Sequence, residues 1–144
     1  MAASTNPIFS KLGDVSTDMT TGMSQLIASS AADYTGASAN YVLVFTADAT
    51  NGSYIERLRF KAGGTNGAAV MRIFLNNGSV NTTAANNAFY GEVSLPATTA
   101  ITTAATAEID YPLGFALNPG FRIYAGLGAA TSPGWVCLAI GGPY

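Results

Sequence analysis

YIERLRFKA, residues 54–62, alternates large apolar and charged side chains: Leu58 and Phe60 fall on one side of an extended chain, Arg57, Arg59 and Lys61 on the other. Successive side chains point to opposite faces of a pleated strand, so this is the pattern of a strand with one buried and one wet face. Outward from it in both directions lie runs of the same kind: SQLIAS (24–29), YVLVFTA (41–47), VMRIFLN (70–76), AFYGEVSL (88–95), AEIDYPL (107–113), FRIYAGL (121–127) and GWVCLAIGG (134–142). Gly, Asn, Pro and Thr separate them, and no stretch after residue 40 sustains a helical period over a helix-length window. About eight short strands at this spacing predict an all-β sandwich or barrel, and two long connecting loops favour an all-β, jelly-roll-like antiparallel β-sandwich.

The alternation also predicts faces. Met71, Ile73 and Leu75 share one side opposite Arg72; Phe89, Val93 and Leu95 oppose Tyr90 and Glu92. Ile109, Tyr111 and Leu113 oppose Glu108 and Asp110, and Phe121, Ile123 and Leu127 oppose Arg122 and Tyr124. YVLVF (41–45) and WVCLAI (135–140) are apolar on both sides, which places them either in the middle of a covered sheet or under another chain. Asn51-Gly52, Asn66-Gly67 and Asn77-Gly78 suit tight hairpins, and Asn118-Pro119-Gly120 reads as a β-turn. The stretches 78–87 and 96–106 are longer than hairpin loops and suit crossings between two sheets.

The first 39 residues differ. They are rich in Ala, Ser, Thr and Asp, with scattered apolar anchors. Residues 1–39 are read as an N-terminal arm with a possible first strand, and 40–144 as the sandwich. Ordering a residue costs about 1.5 kcal/mol, so so sparse a segment gains little by folding alone. Ile8, Phe9 and Leu12 are clustered, which suits an arm that orders on a neighbouring subunit. MAASTNPIFSKLGDVSTD (1–18) has no basic stretch followed by an apolar core, so a product that stays in the cytosol is expected, and no apolar run is long enough to span a bilayer.

Composition narrows the chemistry. The 144 residues include no His and one Cys, which removes Ser-His-Asp triads, imidazole metal sites and internal disulfides. Charged residues are 10% of the chain, and six Lys and Arg against eight Asp and Glu leave a net −2, a poor basis for neutralising phosphates. Neither nucleic acid nor a membrane is expected as a partner, and no cofactor is expected.

Glu108 and Asp110, two apart on one strand, place carboxylates about 7 Å apart, a spacing open to an inverting glycosidase pair. Such a pair needs one carboxyl desolvated, whereas both lie on the wet face near Arg57, Arg59, Lys61, Arg72 and Arg122, so charge pairing is the better reading. Arg57, Arg59 and Lys61 form a basic stripe open to a solvated face or to an acidic partner surface. Trp135 and the tyrosines are candidates for stacking on sugars or for core packing, and Cys137 for a small buried hydrophobe.

Two blocks carry a resemblance: PLGFALNPGFRIYAGLGAATSPGWVCLAIGGPY (112–144) and YVLVFTADATNGSYIERLRFKAGG (41–64). With their paired strands around an Asn-Pro-Gly turn, a Gly-Trp strand and a Gly-Gly-x-Tyr end, they resemble the small jelly-roll decoration, or cement, proteins of tailed bacteriophages. The resemblance spans about residues 40–144 and is one of style and fold. It implies a non-enzymatic virion structural protein on the outside of a phage head, assembled in the host cytoplasm. Its partners would be the major capsid protein and copies of itself, as a homodimer or homotrimer. No site residue carries over. From the residues themselves, Ile8, Phe9, Leu12, Arg57, Arg59 and Lys61 are the candidate contacts with capsid or subunit. The alternative is a carbohydrate-binding jelly-roll module or the knob of a tail fibre.

Overall fold

A computed structural model describes residues 14–15 and 25–144. Its strands are β1 (Asp14–Val15), β2 (Gln25–Ile27), β3 (Val42–Thr46), β4 (Ser53–Ala62), β5 (Ala69–Asn76), β6 (Asn87–Leu95), β7 (Glu108–Leu117), β8 (Arg122–Leu127) and β9 (Trp135–Pro143). The only helix among the described residues is a 3₁₀ turn, Ala84–Asn86.

The pairings define the architecture. β5 pairs with β6, β4 with β7, β3 with β8 and β2 with β9, all antiparallel, so the chain is one long hairpin closed at the β5–β6 end. Rolling this hairpin adds β4–β9 and β5–β8 and yields two sheets, β2-β9-β4-β7 and β3-β8-β5-β6, with β1 on the free edge of β9. This is an all-β jelly-roll sandwich, as the strand spacing predicts.

The two sheets close on a core of Trp135, Phe45, Phe60, Ile55, Leu58, Met71, Ile73, Ile123 and Leu127, all essentially inaccessible. β4 behaves as its alternation requires: Leu58 and Phe60 face inward and Arg57, Arg59 and Lys61 outward. A bulge between Ile55 and Arg57 lets Ile55 face inward too. β7 alternates in the same way, with Ile109, Tyr111, Leu113 and Phe115 packed against the core.

Several expected faces are corrected. Arg72 and Tyr124 are buried, not wet, because residues 28–41 lie over the outer face of β3-β8-β5-β6 and form a second cluster of Ala31, Tyr41, Phe74 and Tyr124. That segment also covers Leu43, so the two-sided run in β3 is an edge strand roofed by its own chain. Phe89 does not share a face with Val93. The register shifts where Gly91 opposes Ile73 and Phe89 opposes Phe74, leaving Tyr90 as the extra residue of a bulge. Phe89 therefore stacks on Phe74 and Tyr34, outside the sheet. β9 lies inside its sheet, with Trp135, Cys137 and Ala139 inward and Val136, Leu138 and Ile140 half-buried on the outer face.

The turns are corrected too. Asn51-Gly52 and Asn66-Gly67 join strands of different sheets, so they bend the chain between sheets and close no hairpin. The long 78–87 stretch does the reverse: it caps the β5–β6 hairpin within one sheet. Residues 96–106 do cross between sheets, and Asn118-Pro119-Gly120 is a turn, with Phe121 N donating to Asn118 O at 3.1 Å.

Candidate interaction surfaces

β4 carries three of the six candidate contact residues as one outward row between β7 and β9. Across the ladders, Arg59 lies opposite Asp110 and Leu138, Lys61 opposite Glu108 and Val136, and Arg57 opposite Pro112 and Ile140. Register therefore puts each long cation beside an acid or an apolar side chain. Arg59 grips Asp110 with both ends of its fork, Nε to Oδ1 at 2.8 Å and Nη2 to Oδ2 at 3.1 Å. Lys61 Nζ lies 3.5 Å from Glu108 and donates to Thr106 O at 2.7 Å; Arg57 lies 3.7 Å from Asp110 and also pairs with Glu56. Three cations thus meet Glu56, Glu108 and Asp110. The stripe that looks basic in the sequence is a charge-balanced face.

The same pairing bears on the two carboxylates. The hydrogen bond from Arg59 holds the Asp110 carboxyl below the usual carboxylate range, the reverse of what a general acid needs. Beside this face runs the half-buried row Val136, Leu138 and Ile140, continued by Leu26, which is 48% exposed.

Ile8, Phe9 and Leu12 lie outside the described residues. What is fixed is their point of attachment: Asp14 and Val15 pair with Gly141 and Ile140 on the free edge of β9.

A second constellation was not singled out from the sequence. Arg72, 9% exposed, projects from β5 into residues 28–41. Its Nη1 donates to Ala32 O at 2.9 Å and Ala31 O at 3.3 Å, and Nη2 to the Tyr34 hydroxyl at 3.1 Å. The guanidinium lies 4.1 Å from the Tyr34 ring centroid, and Glu92 is 3.5 Å from Nε. The Tyr41 hydroxyl reaches the same strap, 2.9 Å from Ala31 O and 2.5 Å from Asp33 O, while its ring packs on Phe74. Gly126 makes room for that ring, since a Cβ there would sit 2.5 Å from it. Burial first, then the Asp33 charge, pushes the Tyr41 hydroxyl up to about 12. Asp33 shapes the strap itself: its Oδ1 accepts from Thr35 N, Thr35 Oγ1 and Gly36 N. The available signal was Phe74 and Tyr124, two large rings on a face assigned to solvent.

The third surface is the flank where β6 and β7 run side by side as the last strands of their sheets. Tyr90 crosses the gap: its ring is 5.3 Å from Phe115 and 6.3 Å, edge-on, from Tyr111. The Tyr111 hydroxyl occupies the space a Cβ at Gly91 would fill. Tyr90, 40% exposed, is the large exposed side chain of this flank, while Phe89, 43% exposed, lies round the strand against Phe74 and Tyr34. Trp135 is fully buried, which removes it as a stacking platform.

Together these features define an all-β jelly roll in which the described cations of β4 and β5 are paired within the chain, with apolar side chains exposed on the β6–β7 flank and beside β9. Compared with protein-family models, curated proteins and solved structures, the chain matches none.

Proposed function

We propose that this chain is a virion structural protein that decorates the outside of a phage head and bridges major capsid protein subunits. The observation that carries the reading is the matched charge of the β4–β7 face beside apolar surface at Val136, Leu138, Ile140 and Leu26. Such surfaces suit association by shape with other protein molecules, and many modest contacts repeated over a shell sum to firm attachment. The anchors Ile8, Phe9 and Leu12 precede β1 in the chain, and β1 pairs on the edge of β9, a place from which an arm can extend to a neighbour. Deleting residues 2–23 is expected to weaken cosedimentation of the chain with phage heads at least tenfold. Undiminished attachment would contradict the arm's role.

A second reading, a carbohydrate-binding module or fibre knob, is favoured by one observation: Tyr90, Tyr111 and Phe115 converge on the open flank from two strands. Aromatic rings of this kind serve as stacking platforms for sugars. Glycan-array binding that Tyr90→Ala abolishes would support it, and an array without hits would dispose of it.

A further inference from the structure

The two flanks of the sandwich differ. On one, the chain leaves β2 and passes to the other sheet: Ser30 bridges Leu127, and Ala31 N donates to Leu127 O at 2.6 Å. That flank is stitched by the chain itself. On the other, among the described residues β6 (nine residues) pairs only with β5, and β7 (ten residues) only with β4, so each presents a backbone edge that no described strand covers. A free edge is a template for another strand, and proteins guard such edges with Pro, Lys, bulges or shortness. β7 has guards: Pro112 removes a donor and Gly114, at φ +67°, bends the strand. β6 is bulged at Tyr90, yet NAFYGEVSL has no Pro, Lys or Arg. Its single charge, Glu92, is turned toward Arg72.

We propose that the open β6 edge is where two copies of this chain pair, forming a two-fold dimer with Tyr90 and Phe115 near its centre. This deepens the decoration reading, on which self-association rests, by naming the surface. Identical antiparallel strands meet across a two-fold axis, which is the isologous contact that closes a dimer. Extent favours a second copy over an isolated strand. A stable interface engages about 20–30 residues a side. The nine residues of β6 fall short of that, while β6 with the ten of β7 approaches it, and only a body as broad as this sandwich covers both. Charge points the same way. Glu92, Glu108 and Asp110 are matched by Arg72, Lys61 and Arg59, so a partner selected by opposite charge finds nothing to neutralise on these strands. A second copy meets the flank without repulsion.

The test is light scattering after size exclusion on the full chain, with Tyr90→Lys/Ser94→Lys as the edge variant and Thr50→Lys, in the exposed β3–β4 turn, as the control. The wild type and Thr50→Lys are expected at twice the chain mass and the edge variant at the chain mass, with an unchanged circular-dichroism spectrum. Should the edge variant not fold, hydrogen exchange on the wild type decides: β6 amides should exchange at least tenfold faster on dilution to the monomer. A monomeric wild type, a dimer that survives the edge variant with its fold intact, or β6 exchange indifferent to dilution overturns the proposal. Head binding is read separately: a monomer that still binds heads sinks this surface and spares the decoration reading, and a dimer that ignores heads does the reverse.

Discussion

Arg72 shows how one side chain can fasten a segment remote in sequence. Its fork reaches two carbonyls and a hydroxyl of residues 31–34 from the middle of β5, and its charge is met by Glu92. Removing it leaves those acceptors without their donor, the Ala31 carbonyl in a buried place and the other two part-buried. Arg72→Met is therefore expected to lower the unfolding free energy by about 2–4 kcal/mol in a denaturant titration. A loss below about 0.5 kcal/mol would show that packing alone holds the strap. Tyr41 adds a pH signature. Its hydroxyl is pushed up to about 12 from an ordinary value of 10.0, so the folded chain keeps a proton that the unfolded chain releases. The stability tied to this group is complete below pH 10 and is lost as the pH rises through 12. The advantage of wild type over Tyr41→Phe should be present at pH 9 and shrink between pH 10 and 12; an advantage that stays constant would contradict the assignment.

At the scale of the strand, β4 has two faces of unequal worth. Phe60 fills the core, so Phe60→Ala is expected to cost about 3–5 kcal/mol. Arg59 pairs with Asp110 in water, and Arg59→Ala should cost only a small fraction of that in the same titration. Equal costs would mean that the outer face is covered by something other than solvent. The contrast explains what was legible in the sequence. In RLRFKA (57–62) and AEIDYPL (107–113) the period of two is unbroken, so inward and outward sides follow directly, whereas Ile55 escapes it through the bulge before Arg57. In β6 the period fails at Tyr90, because a bulge marked only by the neighbouring Gly91 inserts one residue and turns Phe89 to the other side. Arg72 and Tyr124 were legible as one face of their strands, but their burial depends on residues 28–41, whose cover is a tertiary fact that local alternation does not contain. The same limit applies to the basic stripe. Its residues are evident in β4, while their neutralisation requires the β4–β7 register, 51 residues apart at Arg59 and Asp110.

At the scale of the molecule, a single hairpin rolled into a jelly roll leaves two unlike flanks, one stitched by the chain and one open, and one sheet face of matched charge. We read this as a body built to fit against other protein molecules, with Ile8, Phe9 and Leu12 just ahead of β1 in the chain and the open β6 edge meeting a second copy. The direct test is cosedimentation of the purified full chain with mature phage heads. Saturable binding at a fixed number of copies per capsid is the predicted result; heads that sediment with none of the chain at any concentration would contradict the account.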